Sequence, residues 1–164
     1  INDAMVEALP KLAGVGAHAV IVAGKNNYAD VKESTASYHN VTVFEFISEG
    51  LVSLLGAADI VVTRASATSL QELAGLRKPV IAIPAKQLGD QHKNVVVYEA
   101  ANAAVIVSDD DIAKPNRLGS EIIDLLHDEA RRESLAKNLH TFAKPNAAHD
   151  VAALLVELAQ RKNG

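Results

Sequence analysis

Short, uninterrupted apolar runs alternate with amphipathic stretches along the chain, and that alternation leaves few folds open. AHAVIVA (17–23), NVTVFEF (40–46), DIVVT (59–63), VIAI (80–83) and AVIV (104–107) read as strands. Between them, helical spacing predicts helices over 2–13, 27–38, 50–57, 67–76 and 91–101. From 116 onward the pattern is helical, with a break at Lys144, Pro145 and Asn146. Continuous apolar strands of this kind are buried on both faces. Strands alternating with helices then imply a doubly wound, mostly parallel α/β sheet with a helical carboxyl-terminal tail. Residues 1–164 read as one domain, without a repeat or a low-complexity linker. Right-handed crossover units begin with a strand, whereas this chain opens on a helix. A strand and its turn are therefore expected upstream of Ile1.

Composition narrows the function classes. The chain is 49% hydrophobic with 4% aromatics, so alanine and branched aliphatics carry the core. A net charge of −4 argues against a dedicated nucleic-acid binder, which would show a basic stripe. With no cysteine, thiolate catalysis and cysteine-ligated metals are excluded, and a cytosolic site is the simplest reading. No apolar run approaches the roughly 18–20 residues of a membrane span.

In open parallel sheets, ligands sit beyond the carboxyl ends of the strands. The informative loop here follows DIVVT: Arg64, Ala65, Ser66, Ala67, Thr68 and Ser69 lead into a helix. Small side chains allow a ligand close to the backbone. A helix start offers free N–H groups and a positive dipole end, which attract phosphate. Thr68 and Ser69 can add hydroxyl donors. Glu72 lies four residues after Thr68, on the same helix face, where a carboxylate can accept two hydrogen bonds from a ribose diol. The competing reading makes Ser66 an N-cap and Glu72 a solvated acid. No Gly-x-Gly-x-x-Gly, Walker loop or Gly-x-Ser-x-Gly elbow supports another nucleotide or hydrolase motif. His18, His39, His127, His140 and His149 show no metal spacing, and His92 fits a helix surface. Asp109, Asp110 and Asp111 read as a solvated turn and helix cap. Arg131, Arg132 and Lys137 read as a solvated helix face.

The stretch ADIVVTRASATSLQELAGLRKPVIAIP (58–84) resembles the donor-site signature of the MurG-type UDP-N-acetylglucosamine transferases of peptidoglycan synthesis. That signature runs roughly A-D-x-V-x-x-R-(A/S)-G-A-x-T-x-x-E, followed by G-x-P and a strand ending in Pro. Gly89 to Asn94 resembles the family's Gln-x-x-Asn segment, and Glu45 to Ser48 its Phe-Ile segment. Ile1 and Asn2 resemble the residues after the family's Gly-Gly-Ser-x-Gly-Ala turn. The matches are in order and span nearly the whole chain.

This resemblance implies the donor-binding, Rossmann-like half of a two-domain GT-B glycosyltransferase. By position, the backbone at Ile47 would read uracil. Ala67, Thr68 and Ser69 would bind the diphosphate, Glu72 the ribose, and Asp90 and Gln91 the sugar. Arg64 would order the loop or face phosphate, with a surface salt bridge as the alternative. Ser66 stands where the family usually has glycine, so it either adjusts the loop or offers its hydroxyl to phosphate. Asp90 replaces the family's usual His or Gln. The implied reaction is inverting transfer of N-acetylglucosamine from UDP to a lipid-linked muramoyl-pentapeptide. It needs no metal or other cofactor, and it occurs at the cytoplasmic face of the bacterial cell membrane, where the enzyme is peripheral. The acceptor site and general base belong to the amino-terminal domain, so no catalytic residue is expected in this chain, which alone should bind donor without turnover. The alternatives are the donor half of another glycolipid transferase and a non-catalytic nucleotide-binding module.

Overall fold

The computed structural model describes residues 1–162, with Asp90 and Lys162 described by their backbone alone. The order of elements is α1 (Asn2–Gly14), β1 (Ala19–Val22), α2 (Tyr28–Ser34), β2 (Val41–Phe44), α3 (Leu51–Ala57), β3 (Val61–Arg64) and α4 (Ala67–Gly75). It continues with β4 (Val80–Ile83), α5 (Gly89–Ala100), β5 (Val105–Ile106), α6 (Asp109–Ile112), α7 (Arg117–His127), α8 (Glu129–His140) and α9 (Ala147–Lys162). Every strand pairing is parallel, as expected. Helix α6 occupies a stretch that reads as a turn in the sequence.

β4 shows why continuous apolar strands mean two helical layers. Val80 and Ala82 point into one core with Leu70, Leu73, Val95 and Tyr98 of α4 and α5. Ile81 and Ile83 point into the other, with Leu9 and Leu12 of α1 and Leu118 and Leu125 of α7. All four strand residues are buried. The helical tail completes both layers, since Leu135 of α8 enters the second core and Leu139 the first.

The sheet is not continuous. β1 pairs with β2, and β3, β4 and β5 form a separate set in that order. Helix α1 roofs the junction, because Ala19 of β1 and Ile60 and Val62 around β3 share a core with Leu9 and Leu12. β1 also departs from the two-faced burial that its sequence predicts. Ala19 and Ile21 are buried, whereas Val20 and Val22 are 40% and 44% exposed. The reason is the placement of helices: α1 and α2 cover one face, while α3 packs through Leu55 onto the α4 core rather than onto β1.

Two local signals end α4 sharply. Arg77 adopts a left-handed φ of 52°, and the N–H groups of Arg77 and Lys78 return to the carbonyls of Ala74 and Leu73. Pro79 then bars further helix. This reversal sets β4 beside β3 with Val61 opposite Val80.

Candidate functional site

The carboxyl ends of β3, β4 and β5 lie side by side, so their loops converge on one edge. At the end of β3, Ala65 is wholly buried and its N–H donates to Ile83 at 3.3 Å. Ser66 follows in an extended conformation (φ −74°, ψ 143°) and caps α4 by accepting from the Ser69 N–H at 3.2 Å. Its hydroxyl also donates to Ser69 Oγ at 2.8 Å. Serine here needs no positive φ, so replacing glycine costs the backbone no strain. The Ser66 hydroxyl is already engaged within the cap.

Ala67 and Thr68 form the exposed start of α4. Their N–H groups precede the first intrahelical bond, which runs from Leu70 to Ser66. They therefore present donors and the positive end of the helix to the same side. Glu72 lies one turn further on and is exposed. It borders a hollow of about 290 Å³ between α3 and α4, lined by Leu51, Val52, Leu55, Gly75 and Leu76. Ile47 is half-buried in the loop between β2 and α3.

The loop after β4 leads into α5, whose first turn carries Asp90 and Gln91. The side chain of Asp90 lies outside the described residues. Gln91 Oε1 accepts from the Ala85 N–H at 2.9 Å, so its carbonyl folds the loop and its NH2 group is what a ligand can use. Asn94, one turn on, donates from Nδ2 to the Ala65 carbonyl at 3.3 Å. That bond ties α5 to the turn before α4. The start of α1 reaches the same edge, where Asn2 donates to the Ala23 carbonyl at 3.0 Å.

Arg64 makes an ion pair at the end of β3. Its Nη1 donates to Asp109 Oδ1 at 2.5 Å, with side-chain exposures of 41% and 21%. Asp109 Oδ2 accepts from the Lys86 N–H at 2.8 Å. The Asp109 carboxyl is held below its usual range by the Arg64 hydrogen bond first and the Lys86 N–H next. Asp109 alone departs from the reading of Asp109 to Asp111 as a solvated turn and cap; the Asp110 and Asp111 side chains stay exposed. Ser108 is the cap of α6, Asp109 links three loops, and Asp110 pairs with Lys86 Nζ at 2.7 Å. A strand-end arginine and an acid just past the strand two places along form the sequence signal for this pair. It becomes readable only once the strand order is known. Among the described residues, no group of three or more His, Cys, Asp or Glu could hold a metal ion.

Known proteins agree with this architecture. The chain is 33% identical to the UDP-N-acetylglucosamine--N-acetylmuramyl-(pentapeptide) pyrophosphoryl-undecaprenol N-acetylglucosamine transferase of Geobacter sp. (strain M21), over 99% of this chain and 45% of the relative. It is 31% identical to the protein of the same name from Porphyromonas gingivalis, over 99% of this chain and 44% of that one. It thus spans under half the length of these curated relatives. Among solved structures, MurG of Acinetobacter baumannii superposes with a TM-score of 0.69 at 20% identity, covering 82% of this chain and 39% of that chain. The glycotransferase of kitacinnamycin gives 0.64 at 24%, covering 92% and 38%. Both share this fold. The model of the glycosyltransferase family 28 C-terminal domain matches residues 1–151, and the chain belongs to that family.

Proposed function

We propose that the chain is the donor-binding domain of an inverting transferase that moves N-acetylglucosamine from UDP to a lipid-linked muramoyl-pentapeptide. One observation carries the reading: α4 turns exposed N–H groups toward the loop edge and sets Glu72 one turn below, beside an apolar hollow. Within this reading Ala67, Thr68 and Ser69 face the diphosphate, Glu72 takes the ribose hydroxyls and the Ile47 backbone reads uracil. Gln91, with Asp90 beside it in the chain, meets the sugar. Arg64 and Ser66 shape the loop. The names of the relatives supply the donor, the acceptor and the reaction.

The acceptor oxygen attacks the anomeric carbon as its bond to the diphosphate breaks, and negative charge gathers on the departing phosphate. The start of α4 stabilises that charge with oriented N–H groups and the helix dipole. The reading therefore requires no metal ion. The base that takes the acceptor proton, and the acceptor site itself, belong to the part of the relatives that this chain does not span. The chain alone binds donor without turnover. Among the described residues no helix is long and apolar enough to cross a membrane. We place the full enzyme as a peripheral protein at the cytoplasmic face of the bacterial membrane.

Calorimetric titration of the chain with UDP, UMP, ATP and NAD tests the proposal. UDP is expected to bind in preference to ATP and NAD. Glu72→Ala removes the charge-assisted hydrogen bonding to the ribose and should weaken UDP by at least about 1.5–3 kcal/mol, the worth of one such bond, or roughly tenfold to a hundredfold. Equal binding of UDP and ATP overturns the donor reading, and unchanged UDP affinity in the variant removes Glu72 from the site.

A further inference from the structure

The diphosphate-facing and sugar-facing elements of this edge belong to different loops, and a binding site needs them at a fixed separation. Asp109 belongs to neither. It sits past β5, in the first turn of α6, at the far side of the three-stranded set. Its two carboxylate oxygens nevertheless hold one loop each. Oδ1 accepts from Arg64 at the end of β3, and Oδ2 accepts from the Lys86 N–H in the loop after β4. Lys86 Nζ then grips Asp110 at 2.7 Å, fastening the same loop a second time. α6 is held in turn, by the Ser108 cap and by Ile112 packed on the core beneath α1 and α7.

We propose that Asp109 is a positioning residue for the sugar end of the donor: it fixes the loop leading to Gln91 relative to the start of α4. The inference rests on the donor reading above. The Arg64 guanidinium is one arm of the brace. A second set of ties does not pass through Asp109. Gln91 to Ala85 shapes the loop internally, and Asn94 to Ala65 joins the body of α5 to the α4 turn. Removing Asp109 should therefore leave α4 in place, with its own Ser66 cap, and loosen residues 85–91 selectively.

The test compares three ligands on the 164-residue chain and on Asp109→Ala, with Asp109→Asn as the near-isosteric variant should the alanine form fail to fold. UMP stops short of the sugar, UDP completes the diphosphate, and UDP-N-acetylglucosamine adds the sugar. In Asp109→Ala, the UDP-N-acetylglucosamine affinity should fall by about threefold to tenfold relative to UDP, with UMP unchanged within about twofold. Arg64→Ala should produce the same relative loss, and the double variant no more than either alone, because both residues make one brace. Amide hydrogen exchange without ligand should quicken at 85–91 and keep its rate in α4. An equal loss for all three ligands, or exchange that quickens equally in α4, shows a merely structural role and overturns the proposal. If the unaltered chain binds UDP and the relative affinity does not move, this inference fails and the donor reading stands. If the unaltered chain binds none of the three, the donor reading fails and takes the site role of Asp109 with it.

Discussion

Helices α1 and α7 cross at a point where one has glycine and the other alanine, and the crossing allows a sharp test of the packing. A Cβ placed on Gly119 would lie 3.1 Å from the Ala8 Cβ, 3.3 Å from the Ala8 Cα and 3.7 Å from the Lys11 Cδ. Relaxed carbon contacts sit at about 3.5–4.0 Å. The lysine methylene can swing away. The Ala8 backbone cannot, since Leu9 and Leu12 on the same helix are buried in the core beneath. Gly119→Ala gains about 1 kcal/mol of helix propensity. It must also part the helices by several tenths of an ångström, and overpacking of this kind costs about 1–3 kcal/mol. The net expectation is a loss of about 0–2 kcal/mol, at roughly 2–4 °C of melting temperature per kcal/mol for a domain of this size. Gly56→Ala in α3 is the control. Nothing lies within 4 Å of its Cβ position. The same propensity gain should there raise stability by about 0.5–1 kcal/mol. Urea unfolding of both variants beside the parent reads the two signs. If Gly119→Ala stabilises as much as Gly56→Ala, the close approach of α1 and α7 is not felt and the packing argument is wrong.

Other residues give smaller tests. Ser66→Ala removes the α4 cap and should cost about 1 kcal/mol in urea unfolding, whereas Ser66→Gly should cost only a few tenths; equal costs would mean that the cap bond contributes nothing. Glu121 is buried between Arg117 at 2.7 Å and Arg131 at 3.0 Å. Both arginine side chains are over a third exposed (37% and 43%) and can turn to water, so Glu121→Gln should cost about 1–2 kcal/mol, less than the 3–5 of a fully buried pair. The lowered carboxyl of Asp109 sets a pH window: its contribution is complete above the ordinary carboxylate range, about pH 4, and disappears as pH falls through the lowered folded value. The gap in melting temperature between the parent and Asp109→Asn should thus be open at about pH 6 and narrow as the pH falls below about 4. A gap that is constant across that range refutes the ion pair.

What the sequence reveals of this molecule depends on how far apart the interacting residues are. β4 is legible because four apolar residues stand between Pro79 and Pro84 and both faces of the strand are covered. α4 is legible because cap, exposed start and Glu72 all lie at the start of one helix, within two turns of one another. β1 misleads because Ala-Val-Ile-Val looks like a strand buried on both sides. Whether its second face is covered depends on where α3 goes, and α3 goes to α4. The resemblance names Arg64 but leaves its partner open, since 45 residues and two strands separate it from Asp109. Periodicity describes what one element does to its own side chains. A parallel sheet places its loops side by side in an order that periodicity does not contain. A charge pair bridging those loops is therefore readable only after the strands are set. The same reasoning divides the proposed site: the part read as facing phosphate and ribose is built on α4 and visible early. The part proposed to meet the sugar follows a loop tied to Asp109 beyond a third strand.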